Sequence, residues 1–137
     1  MVIWLDESNF CPNYELPTQT TDMFDFEQLE VYKKAKDLNK AVLKLLKDIK
    51  SIDPVLRDQL KRACISIVLN IAEGSGKFSK ADKRNFYTTA RGSTYECVAI
   101  FEILLEQENI TKQEFSNFYY QFEIVSKMLL GLINSQK

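Results

Sequence analysis

The sequence holds no histidine, and only three cysteines, three prolines, four glycines and one tryptophan among its 137 residues. Without histidine it lacks the commonest general base and the commonest metal ligand. Cys11, Cys64 and Cys97 are widely separated and odd in number. That argues against zinc and against a disulfide framework, and it fits a reducing compartment, the cytoplasm. No apolar run approaches the roughly 20 residues needed to span a bilayer, so no membrane partner is expected. The opening residues, "MVIWLDESNF", have neither the basic n-region nor the apolar h-region of a secretory signal.

What is present is ordinary in bulk. Hydrophobic residues make up 45% and charged residues 27%, as in soluble globular domains, and the length fits one domain that buries its own core. The net charge of −1 hides a strong asymmetry. Residues 1–25 carry five acids and no Lys or Arg, residues 33–91 carry 15 Lys and Arg against six acids, and residues 92–137 carry three Lys against six Glu. Such polarity suits an anionic partner at one end while the bulk pI stays near 5.6. It is also what a set of solvated, lysine-rich helix faces would give.

Periodicity assigns the fold. Residues 1–25, with Pro12 and Pro17, show no sustained period and read as an acidic leader, extended or partly disordered. From Phe26 the apolar spacing becomes helical, with Val31, Ala35, Leu38, Val42, Leu45 and Ile49 on one stripe and Asp25 as the cap. Asp53-Pro54 starts a second helix carrying Leu56, Leu60, Ala63, Ile67 and Ile71. A third helix, from Lys80 to about Glu108, places Phe86, Ala90, Ser93, Cys97, Ile100 and Leu104 inward. Thr111 and Glu114 read as a capping box for a fourth, with Phe115, Phe118, Phe122, Val125, Leu129 and Leu132 inward. The fold class is all-α. Residues 26–137 are expected to form an antiparallel up-down-up-down four-helix bundle.

The stretch "EGSGK", Glu73–Lys77, resembles the end of a phosphate-binding loop. A Walker A loop also needs a glycine where Ile71 stands, a hydroxyl where Phe78 stands, and a strand before it. Here the preceding segment is a helix. The glycines are therefore expected to end that helix in left-handed turns, with Ser79 and Asp82 capping the next. No nucleotide or other cofactor is expected.

Two further patterns carry candidate function. The second helix is apolar on two sides, with Ile65, Val68, Leu69 and Ala72 forming the second, which predicts burial on both. Its polar remainder, Arg62, Ser66, Asn70 and Glu73, falls within an arc of about 80°. That stripe reads as an internal polar network with Glu96 or Arg91 of the third helix, or alternatively as a lined pocket. On the third helix, Arg84, Tyr87, Arg91, Tyr95 and Val98 lie opposite the core stripe. Arg and Tyr are the residue types of interfaces, so Tyr87, Arg91 and Tyr95 are candidates for contact between subunits; a plain surface and a nucleic-acid surface are the other readings. No nucleophile–base pair, metal spacing or cofactor loop marks an enzyme.

"FEQLEVYKKA" (Phe26–Ala35), "QLKRACISIVLNIAEGSGKFSKADKRNF" (Gln59–Phe86) and "ARGSTYE" (Ala90–Glu96) closely resemble the bacterial four-helix-bundle family encoded in intervening sequences of the 23S ribosomal RNA gene. The resemblance spans about residues 26–132. It departs at Val68, where the family usually has proline, which implies a straighter second helix. The family implies an antiparallel bundle that assembles as a homopentamer, and no known reaction. A related branch, the accessory variability proteins of diversity-generating retroelements, partners a reverse transcriptase and binds nucleic acid through a basic surface. Carried onto this chain, that implies RNA or DNA contacts at Arg62, Lys77, Lys80, Lys83, Arg84 and Arg91. The low pI sets this chain apart from that branch, which is markedly basic. A protein-binding or scaffolding homo-oligomer with no nucleic-acid role is the competing expectation.

Overall fold

Asp53-Pro54 and Thr111 are the sharpest boundary signals in the sequence, and both act as their chemistry requires in the computed structural model, which describes residues 24–137. Asp53 Oδ1 accepts a hydrogen bond from the Val55 amide at 2.8 Å, with Pro54 in the first turn, where its missing N–H costs nothing. Thr111 and Glu114 exchange side-chain and backbone bonds, both 3.0 Å long, in a reciprocal capping box. Ser79 Oγ accepts from the Asp82 amide at 3.1 Å. Four α-helices follow: α1 (Glu30–Asp48), α2 (Pro54–Ser75), α3 (Lys80–Glu106) and α4 (Lys112–Ser135). There is no strand among the described residues. Consecutive helices pack side by side, α1 closes on α4, and the diagonal pairs bring no Cα atoms within 8 Å of each other. No described helix is long and apolar enough to cross a membrane.

The expected leader lies outside the described residues except at its end, as does Cys11. The first helix does not begin at Phe26 behind an Asp25 cap. Asp25–Gln28 forms a short 3-10 turn, and α1 starts at Glu30 after Leu29, which offers no side-chain cap. The cause is aromatic packing. Phe26 meets the Tyr32 ring edge-on at 4.8 Å and stacks with Phe24 at 5.8 Å. Folding the turn back over α1 and α2 allows those contacts, and a straight extension of α1 would not.

The core is built largely from the expected stripes. All six positions of the first expected stripe are buried, the last of them, Ile49, just past the end of α1, as are Leu60, Ala63, Ile67 and Ile71 of α2 and Phe122, Val125 and Leu129 of α4. On α3 the stripe is wider than periodicity suggested. Tyr87, Thr94 and Phe101 are buried, while Phe86 and Ser93 are only half-buried. The reason is that α3 packs against both α2 and α4. Phe101 stacks on Phe118 at 4.9 Å and meets Phe122 edge-on at 5.4 Å, binding α3 to α4.

The glycines behave differently from expectation. Gly74 lies inside α2, Gly76 has φ −82 and ψ −4, and no described glycine has positive φ. Gly74 is instead a point of close approach. A Cβ there would lie 2.7 Å from Tyr87 Cε1 and 2.9 Å from Phe86 Cβ. The one left-handed residue among those described is Glu108, with φ 59, in the α3–α4 connection.

Candidate functional site

The polar stripe of α2 divides into two. Ser66 and Asn70 are half-buried against α3, whereas Arg62 and Glu73 are exposed. Ser66 Oγ lies 2.9 Å from Ser93 Oγ, and Asn70 Nδ2 donates to the Ser66 carbonyl at 2.8 Å and to its hydroxyl at 3.0 Å. This three-residue network joins α2 to α3. Glu96, half-buried, accepts a hydrogen bond from Gln59 rather than pairing with Arg62. The expectation that Arg62 and Glu73 belong to a buried network is therefore corrected. On the helical wheel Arg62 and Glu73 lie at the edge of the arc away from Ala63, Ile67 and Gly74, so they face solvent although α2 meets α3 on either side of them, at Gln59 and Gly74.

The second face of α2 is likewise only partly covered. Val68 is buried, but Ile65 and Leu69 are 39% and 54% exposed. Arg62 and Glu73 flank them. The result is an apolar strip with a charged border along the outer side of α2.

The Arg/Tyr face of α3 is also divided. Tyr87, expected on the outer face, is 3% exposed and fills the space that Gly74 leaves, and burial pushes its phenol above the ordinary range. It is a core residue of the monomer. Arg91 and Tyr95 do remain together. Arg91 Nη2 donates to Tyr95 Oη at 2.8 Å, its guanidinium carbon lies 4.9 Å from the ring centroid, and its Nε is buried without a partner among the described residues. With Val98 they form one wall of a groove of about 460 Å³, whose other wall is Tyr119, Glu123, Lys127 and Leu130 of α4. Glu123 and Lys127 pair across one turn at 3.1 Å. The α4 wall had no distinct signal in the sequence, because its residues punctuate an ordinary amphipathic pattern.

The basic residues of the α2–α3 connection are mostly engaged within the chain. Lys83 Nζ donates to the Ser75 carbonyl at 2.8 Å, and Arg84 donates to the Gln136 carbonyl just past α4. Each places a cation at the carbonyl end of a neighbouring helix, where the macrodipole favours it. Lys77 lies 4.9 Å over the Phe86 ring. The Gly76 amide donates to the carbonyls of Ala72 at 3.3 Å and Glu73 at 3.1 Å, and the Lys77 amide to Gly74 at 3.2 Å. Those amides point into the helix end and form no phosphate cradle. Lys80 stands exposed.

Cys64 and Cys97, both in the core, lie against each other between α2 and α3. That contact, with burial, pushes the Cys97 thiol well above the ordinary range, so it holds no thiolate for nucleophilic chemistry. No group of three or more potential metal ligands occurs among the described residues.

Comparison with known proteins places this geometry. The family described as "23S rRNA-intervening sequence protein" matches residues 27–131. The chain belongs to this family. A solved structure from Bacteroides thetaiotaomicron, described as a protein of unknown function from the S23 ribosomal protein family, is 24% identical. It superposes with a TM-score of 0.69, covering 75% of this chain and 97% of the other. At that identity the likeness is one of fold. No curated protein matches the chain. The family match ends short of both termini and takes in all of the polar network, the α2 strip and the α3–α4 groove.

Proposed function

We propose that this intervening-sequence-family chain is a non-catalytic accessory protein that assembles into a closed homo-oligomer and associates with nucleic acid. The observation that carries the assembly is the strip of Ile65 and Leu69 on α2, exposed and bordered by Arg62 and Glu73. An apolar centre with a polar rim is the anatomy of an interface. A ring needs two different patches, because each copy meets its neighbours head to tail. The strip supplies one, and the groove containing Tyr95, Tyr119 and Leu130 supplies the other. Five copies is the number the family resemblance implies. The concentration of Lys and Arg in residues 33–91 supports a polyanionic partner, and a reverse transcriptase is the protein partner that the retroelement branch suggests.

Leu69→Glu and Tyr95→Glu test the assembly from its two sides. Light scattering should give an oligomer for the wild type and monomers for both variants, with the helical circular dichroism unchanged. A wild type that is monomeric at micromolar concentration would overturn the proposal. The scaffolding alternative predicts an intact oligomer that ignores RNA and DNA at low salt.

A further inference from the structure

The outer face of α1 carries a pattern found on none of the other helices. At 100° per residue, an arc of about 80° pointing directly away from the core contains five positions. They are Lys33, Lys36, Lys40, Lys44 and Lys47, every one a lysine and every one exposed. The acids of the helix, Glu30, Asp37 and Asp48, stand beside this arc and not within it. A solvated helix commonly interleaves Glu with Lys at four-residue spacing, which gives local ion pairs. Among the described residues only Lys33 has one, to Glu30 at 3.4 Å, and Lys36 lies 5.5 Å from the Tyr32 ring centroid. The outer face of α2, by contrast, carries Arg62, Ile65, Leu69 and Glu73.

We propose that this face of α1 is the track on which the phosphate backbone of a nucleic-acid strand lies. The inference rests on the nucleic-acid reading above and moves its contact from the α2–α3 connection to α1. Lys33 to Lys47 spans about 21 Å at the rise of an α-helix. The result is a straight row of flexible point charges. Lysine suits phosphates without reading bases, and the arc holds no Arg, Asn or Gln to make bidentate base contacts, so binding is independent of sequence. A membrane surface fits less well. The apolar face of α1 is committed to the core through Val31, Ala35, Leu38, Val42, Leu45 and Leu46, and none of it is left to enter a bilayer.

The test is a fluorescence-anisotropy titration with unstructured oligo-uridine at several salt concentrations. One variant combines Lys36→Gln, Lys40→Gln, Lys44→Gln and Lys47→Gln; a second replaces the same four lysines with arginine; a third combines Lys77→Gln with Lys80→Gln. The glutamine variant should bind at least about tenfold more weakly, with the slope of log affinity against log salt reduced by about 3. The arginine variant should bind like the wild type, since only charge is needed, and the Lys77/Lys80 variant should lose no more than about twofold. Wild-type affinity in the glutamine variant, with loss in the Lys77/Lys80 variant, would overturn the α1 assignment and leave the nucleic-acid reading standing. No wild-type binding at low salt would overturn both. Tighter binding to phosphatidylserine vesicles than to oligo-uridine would also overturn the proposal.

Discussion

Gly74→Ala should destabilise this protein although it replaces a helical glycine with the best helix former. Gly74 lies in the last turn of α2, where it meets the start of α3. The added Cβ would sit 2.7 Å from Tyr87 Cε1 and 2.9 Å from Phe86 Cβ. The Tyr87 ring, 3% exposed, has little room to rotate away, and Phe86 Cβ is fixed to the α3 backbone, so one helix must move. Overpacking of this kind costs about 1–3 kcal/mol, and the better helix propensity of alanine returns about 1 kcal/mol. The balance is a loss of up to about 2 kcal/mol, which for a domain of this size lowers Tm by up to about 7 °C. Gly92 supplies the control, because a Cβ there meets nothing within 4 Å. Gly92→Ala should gain about 0.5–1 kcal/mol. Thermal unfolding followed by circular dichroism on both variants decides the matter. A Gly74→Ala protein as stable as Gly92→Ala would refute the close-packing account of the glycine.

Two further substitutions follow from the split of the α2 stripe. Asn70→Ala removes both bonds to Ser66 and should cost about 0.5–2 kcal/mol in denaturant unfolding, whereas Glu73→Ala, at an exposed position, should stay within about 0.5 kcal/mol of wild type; equal losses would show that the stripe acts as one network. Lys77→Ala should leave helix content and oligomeric mass unchanged, and ATP with magnesium should not raise the Tm of the wild type. An ATP-induced rise that Lys77→Ala abolishes would contradict the inward-facing amides of the connection.

Much of this was legible because period and capping chemistry are local. Asp53-Pro54, Ser79 and Thr111 each determine a helix start through bonds to residues two or three positions away, so the sequence alone locates those starts. Core stripes on α1 and α4 are also local, because each helix presents one continuous apolar arc. What could not be read depends on neighbours distant in the chain. Tyr87 looked outward on a helical wheel because nothing local reveals that Gly74, 13 residues earlier, opens a space for its ring. Arg62 and Glu73 share an arc with Ser66 and Asn70, yet only the middle pair reaches α3. The α1 start is an exception that is local yet escaped reading, because the ring contacts of Phe26 with Phe24 and Tyr32 follow no capping rule. The lysine row on α1 needed no structure to list, but that Lys33 alone of the five pairs with an acid among the described residues is a three-dimensional fact.

The measurement closest to the central claim is the mass of the wild-type protein in solution, by light scattering at micromolar concentration, alone and with unstructured oligo-uridine at low salt. A chain of 15.9 kDa that self-assembles and engages nucleic acid should run as a discrete multiple of that mass and gain the mass of bound RNA, with the gain lost as salt rises. A species of one chain mass that is unchanged by RNA would contradict it.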